Sequence, residues 1–243
     1  MKPTLSYFVC ATARSGSSLL CDLLGQTGVA GYPGEYFTPV NYGEAAQAWG
    51  LTEAPFSEFL KKTIEKSTTP NGVFGTKMFI YNIRQSRFRE LPEFAGRSLP
   101  PWELMPEIFP NLHYIWIMRR NKIRQAVSYL RAKQTMQWET YKDDPRRPKE
   151  TPVYDRDQIQ WLLEEAIMEE VRWQEHFKRA NVQPLTIVYE DFVAQKEETI
   201  RRVLDYLGIE APAHRLNGRP KLVRQADELS DQWVERFFAD KQW

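Results

Sequence analysis

Tyr7-Phe8-Val9-Cys10-Ala11-Thr12-Ala13-Arg14-Ser15-Gly16-Ser17-Ser18-Leu19-Leu20 reads as a strand, a turn and the start of a helix. Tyr7 to Ala11 is an unbroken apolar run, the pattern of a strand covered on both faces. Thr12 to Gly16 is a turn of mostly small residues. A helix follows from about Ser17 to Thr27, with Leu19, Leu20, Leu23 and Leu24 on one face and Gly28 as its stop. The N-terminus of such a helix offers unpaired backbone N–H groups and the positive end of the helix dipole. Arg14 adds a charge, and Ser15, Ser17 and Ser18 add hydroxyl donors, so Arg14 to Ser18 reads as a cradle for a phosphate-like anion around Gly16. It is not a nucleoside-triphosphate P-loop, which needs glycine in place of Ala11 and lysine in place of Ser17.

Outward from this unit, strands and helices alternate. The expected strands are Val73–Ile80, Leu112–Met118 and Leu185–Tyr189. The expected helices are about Phe56–Lys66, Ile123–Lys133, Arg156–Ala180, Val193–Leu207 and Ser230–Ala239. Val29 to Asn41, residues 139–154 and Glu210 to Arg224 read as loops, and Arg84 to Pro110 as irregular with one short helix. The alternation predicts an α/β fold, a parallel sheet flanked by helices, in one domain spanning residues 1–243. In such a sheet, ligands bind beyond the carboxyl ends of the strands. Arg14 and the Arg119/Arg120 pair, which follows the third strand, should therefore face one crevice. Two anion sites on one rim suit a nucleotide with phosphates at both ends.

Bulk properties narrow the function. With 42% hydrophobic and 27% charged residues the chain is globular in composition. A formal charge of +1 argues against nucleic acid or a membrane surface as partner. There is no apolar stretch long enough to span a bilayer, and the chain reads as cytoplasmic. The two cysteines, Cys10 and Cys21, read as buried thiols, and His113, His176 and His214 have no metal-ligand spacing.

The segment Ala13 to Leu20 resembles the 5′-phosphosulfate loop of sulfotransferases, and Arg120 to Ser128 resembles their 3′-phosphate motif. The chain is similar in particular to the bacterial trehalose 2-sulfotransferase group. Gly34-Glu35-Tyr36-Phe37, Phe74-Gly75-Thr76-Lys77, Gln125-Ala126-Val127-Ser128, Arg131-Ala132, Gln134-Thr135, Trp138 and Arg224-Gln225-Ala226-Asp227 match in order. The resemblance implies a P-loop-like sulfotransferase fold and transfer of a sulfuryl group from 3′-phosphoadenosine 5′-phosphosulfate (PAPS, leaving PAP) to a sugar or glycolipid hydroxyl. It implies that Arg14, Ser15, Gly16, Ser17 and Ser18 hold the 5′-phosphosulfate, and that Ser128 with Arg119 or Arg120 holds the 3′-phosphate. Tyr189, Lys221 and Arg224 fall in segments similar to ones near the nucleotide. Glu35 is implied as the general base, and Lys77 as the stabiliser of the bridging or sulfuryl oxygens. No metal is required, and a homodimer is an expectation. Tyr36, Phe37, Trp49, Phe79 and Tyr81 are candidate sugar-stacking faces.

Two competing readings remain at this level. One is a nucleotide-kinase-like P-loop enzyme, against which the missing lysine argues. The other is a nucleotide- or glycan-binding module without catalysis.

Overall fold

The computed structural model describes residues 2–85, 87–92, 96–141, 150–211, 213–222 and 227–240. Four parallel strands, β1 (Leu5–Ala11), β2 (Val73–Phe79), β3 (Leu112–Met118) and β4 (Leu185–Val188), form one sheet in the order β2-β1-β3-β4. The chain leaves β1 for β2 on one side and returns for β3 on the other. A topological switch point therefore lies at β1, where a crevice opens beyond the strand ends. The register sets Ala11 opposite both Phe79 and Ile117, so β2, β1 and β3 end nearly level and their following turns share one rim.

Alternation along β1 feeds two cores. Phe8 and Cys10 pack with Phe74, Met78, Tyr114 and Trp116 on one face. Tyr7, Val9 and Ala11 pack with Ile115, Ile117 and Ile187 on the other. Both faces are dry because helices cover both, which is why β1 is apolar throughout rather than alternating with polar residues.

The second face is closed by α1 (Ser17–Gln26), α8 (Tyr189–Ala194) and α9 (Lys196–Tyr206), through Leu20, Leu23, Leu24, Phe192, Ile200 and Val203. The first face is closed by α2 (Pro39–Ala48), α3 (Phe56–Ser67), α4 (Ile80–Gln85), α5 (Pro101–Ile108) and α7 (Arg156–Arg179). The Trp173 indole of α7 is fully buried and donates to the Ala11 carbonyl at 3.0 Å, tying this 24-residue helix to the end of β1. A third cluster, built on Ala126, Leu130, Ile159, Leu162, Trp233 and Phe237, joins α6 (Lys122–Thr135), α7 and α10 (Glu228–Ala239).

Several boundaries differ from the sequence reading. Ile80 and Tyr189 begin α4 and α8 instead of ending strands, because the chain turns as soon as it clears the sheet. The helix expected from Val193 is interrupted at Gln195, so α8 and α9 are separate. The loop expected to run to Asn41 gives way at Pro39 to α2, where Thr38 accepts a hydrogen bond from the Asn41 N–H at 3.4 Å and Pro39 takes the first helical position. Of the expected loop at 139–154, residues 142–149 lie outside the described residues. Cys10 and Cys21 are buried free thiols, as expected.

Candidate active site

The β1–α1 turn holds two left-handed residues, Arg14 with φ 61° and Gly16 with φ 93°. Gly16 is required twice over. Its φ is strained for any side chain, and a Cβ there would stand 2.2 Å from the Tyr189 ring. The aromatic ring therefore lies directly on the turn. Gly16 also caps α1 with no side-chain bond, so the helix's first-turn N–H groups point to the rim without an internal acceptor. The turn is braced from α6: Gln125 is fully buried and donates through Nε2 to Thr12 Oγ1 and the Ala13 carbonyl, both at 2.7 Å. Ser15 Oγ is buried with no hydrogen-bond partner among the described residues, a donor left for something else at this turn.

Arg14 runs across the rim. Its Nε donates to Ser128 Oγ at 3.1 Å, and its Nη1 donates to the Trp138 carbonyl. The two ends of the expected anion cleft, distant in sequence, therefore meet. Burial and the neighbouring charge of Arg119 bring the Arg14 pKa down to about 10. Arg119 donates to the Arg14 carbonyl at 3.4 Å and lies over the Tyr189 ring, 4.9 Å from its centroid. Arg120 points away. It is 62% exposed and pairs with Asp191 at 2.8 Å. The Arg120 and Asn121 N–H groups both donate to Glu190, at 2.9 and 3.0 Å, which pins the β3–α6 turn to the start of α8. Burial alone would raise the Glu190 pKa, but these two bonds, together with its own backbone N–H and the charge of Arg119, outweigh it and hold the carboxyl below its usual range.

Lys77 lies near the end of β2 with its side chain only 6% exposed. Its ammonium donates to Ser18 Oγ at 3.1 Å and pairs with Glu35 Oε2 at 2.5 Å. The lysine therefore connects the anion cradle with the carboxylate. Glu35 is brought there by main chain. The Gly34 carbonyl accepts from the Lys77 N–H at 2.9 Å and from Thr76 Oγ1 at 3.1 Å, making an isolated parallel bridge along the β2 edge. Asn41 then holds the Glu35 carbonyl at 2.7 Å.

Arg14, Ser15, Gly16, Ser17, Ser18, Glu35, Lys77, Arg119, Ser128 and Tyr189 thus gather at one rim. Arg120 does not join them. Lys221 is exposed, and its backbone N–H donates to Asp22 at 2.9 Å, while its side chain has no partner at the cradle. Arg224 lies outside the described residues. Of the aromatic candidates, Phe37 is core, packed at 4.9 Å against Phe88, and Trp49 stacks on Phe59 at 5.4 Å. Phe79 is buried and stacks with Tyr81 at 5.4 Å. Two participants escaped the sequence reading. Gln125 carries no signal beyond its place in a matched block. Glu139 sits on a segment read as loop, yet its carboxylate reaches Ser18. Among the described residues no group of metal-ligating side chains occurs, and no helix is long and apolar enough to cross a membrane.

A rim of fixed cations and hydroxyl donors, with the Glu35 carboxylate paired to Lys77 beside them, suits transfer of a tetrahedral oxyanion group. Solved structures with the same fold are sulfotransferases. They include the sulfotransferase domain of the curacin biosynthetic pathway, with TM-score 0.52, 13% identity, and coverage of 94% of this chain and 82% of that one. The sulfotransferase domain of the Synechococcus PCC 7002 olefin synthase gives TM-score 0.51, 16% identity, and coverage of 99% and 90%. The architecture is thus the P-loop-like sulfotransferase fold. Residues 6–240 match the Stf0 sulphotransferase family, and the chain belongs to it. It is 30% identical over 262 residues to trehalose 2-sulfotransferase of Mycolicibacterium smegmatis, covering 98% of this chain and 96% of the relative. It is 30% identical over 259 residues to the trehalose 2-sulfotransferase of Mycobacterium tuberculosis, covering 96% and 94%. Nodulation protein H of Rhizobium meliloti is 29% identical over 155 residues, covering 64% and 58%. Membership in a sulfotransferase family sets aside the nucleotide-kinase alternative.

Proposed function

We propose that this protein transfers a sulfuryl group from PAPS to a sugar hydroxyl, with Glu35 as general base. The observation that carries the reading is the Lys77 ammonium, bonded at once to Glu35 at 2.5 Å and to Ser18 of the cradle at 3.1 Å. A proton acceptor and an anion holder within reach of one cation is what an in-line group transfer requires.

The nucleotide supplies the activated phosphate–sulfate bond. Arg14, the first turn of α1 and the hydroxyls of Ser15, Ser17 and Ser18 hold its 5′ end. Ser128 and Arg119 hold the 3′-phosphate, with Tyr189 as a wall. Arg119 takes this part because it lies over Tyr189 beside Arg14, whereas Arg120 is engaged by Asp191. Glu35 takes the proton of the attacking hydroxyl. Lys77 and Arg14 hold the negative charge that develops on the oxygen left behind. The acceptor class follows from relatives named trehalose 2-sulfotransferase, which makes a disaccharide or glycolipid the first choice.

The protein works in the cytoplasm, in keeping with two reduced, buried cysteines. It acts as a homodimer. Trp161, Ile167, Met168 and Val171 are exposed along α7, a face suited to a second copy.

The test is a donor-labelled sulfation screen over trehalose, glucose, glycolipids and lipopolysaccharide fragments, run with wild type and Glu35→Gln. The variant should bind PAP normally and turn over about 10²–10⁴-fold more slowly. Near-normal turnover by the variant removes Glu35 from the role, and no label on any sugar removes the acceptor class.

A further inference from the structure

One ionised side chain is misplaced for a site that binds anions. Glu139 lies on the segment that follows α6, where Met136 takes a left-handed φ of 55° and turns the chain back over the rim. This strap, from Met136 to Tyr141, is tied down at several points. The Trp138 carbonyl accepts from Arg14, and the Trp138 ring meets Tyr129 edge-on at 5.8 Å. Tyr141 bridges to Leu222 and donates through its hydroxyl to Glu139 Oε2 at 2.8 Å. The Glu139 carboxylate then faces the Ser18 hydroxyl and the charges of Lys77 and Arg14. Burial works against its ionisation. The nearby Ser18 hydroxyl, the bond from Tyr141 and the two cations outweigh that and hold the carboxyl below its usual range.

We propose that Glu139 is the cradle's own anion: it fills the 5′-phosphosulfate site in the unliganded protein and competes with donor and product for Ser18, Lys77 and Arg14. The inference rests on the donor reading above. Like charges crowded into one low-dielectric site repel strongly, so nucleotide entry expels Glu139 and lifts the strap that carries it. The same carboxylate falls back after transfer and displaces the 5′-phosphate of the product. Glu139 therefore weakens the site for both nucleotides and hastens product release. It keeps the cradle charge-balanced and preorganised while it waits, since Lys77 is a buried cation and Arg14 a half-buried one. Its charge, rather than the mere presence of the strap, sets nucleotide affinity.

The experiment is calorimetric titration of wild type, Glu139→Gln and Glu139→Asp with adenosine 3′,5′-bisphosphate and with adenosine 3′-monophosphate. Glutamine keeps the shape and the Tyr141 bond but loses the charge, so bisphosphate should bind at least tenfold more tightly. Monophosphate, with no 5′ anion, should change by less than twofold, and aspartate should stay near wild type for both. The inhibition constant of the bisphosphate in the sulfation assay should fall in parallel. Unchanged or weaker bisphosphate binding in Glu139→Gln overturns the proposal. So does equal tightening of both nucleotides, which would mean a loosened strap. Wild type that binds neither nucleotide brings down the donor reading, and this inference with it.

Discussion

The contact between Gly16 and Tyr189 makes a paired test within one turn and helix. In Gly16→Ala the new methyl carbon would sit 2.2 Å from one ring carbon of Tyr189 and 2.7 Å from the next, at a φ of 93°. Holding a non-glycine residue there costs about 1–3 kcal/mol. Pushing the ring away costs about 1–3 kcal/mol more, as overpacking does elsewhere. For a chain of this size each kcal/mol moves the melting temperature by about 2–4 °C, so a fall of roughly 4–24 °C is expected. The ring cannot move alone, because the Arg119 guanidinium lies over it at 4.9 Å. PAP affinity should therefore fall by about tenfold or more, a loss of about 1.4 kcal/mol. Gly25→Ala is the control. A Cβ at Gly25, near the end of the same helix, meets nothing within 4 Å. Helix propensity alone then favours alanine by about 0.5–1 kcal/mol, and the melting temperature should rise by about 1–4 °C. Scanning calorimetry with and without PAP reads both variants. A Gly16→Ala protein that melts within a degree of wild type would refute the close contact, and with it the account of Tyr189 as a wall fixed against the turn.

Further outcomes are expected elsewhere. Arg119→Ala should weaken PAP by about 10–100-fold, the scale of a lost charge-assisted bond, whereas Arg120→Ala should leave it within twofold; the reverse order in titration would reassign the 3′-phosphate ligand. Burial, and after it the charge of Glu165, lifts the Glu169 carboxyl from 4.5 to about 7, with Arg172 opposing. The folded protein therefore holds that proton more tightly than the unfolded chain. Its contribution is complete below about pH 4.5 and is lost as pH rises to 7. Glu169→Gln should remove about 2–4 kcal/mol of this decline, seen as a flatter difference between urea unfolding at pH 5 and pH 8; a parallel pair of curves would contradict the shift. Asp227 caps α10 through the Ser230 N–H at 3.0 Å and pairs with Arg131 Nη2 at 2.8 Å. Its replacement by alanine should cost about 1–2 kcal/mol in urea unfolding, and no loss would mean solvent replaces both contacts.

The β1–α1 unit was legible because each part has its own signature: an unbroken apolar run, small turn residues, then leucines at helical spacing. Ile80 and Tyr189 were misread as strand ends because an apolar residue looks alike on the last rung of a sheet and in the first turn of a helix. The choice is made by tertiary geometry, here the Glu190 carboxylate catching two N–H groups of the β3–α6 turn. The start of α2 could have been read from Thr38-Pro39, a cap followed by proline at the first helical position. Its weak apolar face, with Ala46 as its buried residue, hid it. In the site, Arg119 and Arg120 are equivalent in composition, and Tyr189 against the one and Asp191 against the other, both far along the chain, separate them. Glu139 had no sequence signal at all. Its place depends on the path of a strap whose turn is a left-handed methionine.

The bridge between Gly34 and Thr76 has a further effect. Because the Gly34 carbonyl is held by the Lys77 main chain, the strand that carries the lysine is also the ruler against which the carboxylate is measured. Side chains around Glu35 can drift through evolution without altering that spacing. Insertion of one residue between the bridge and Glu35 would swing the acid off the rim even though every original side chain survived.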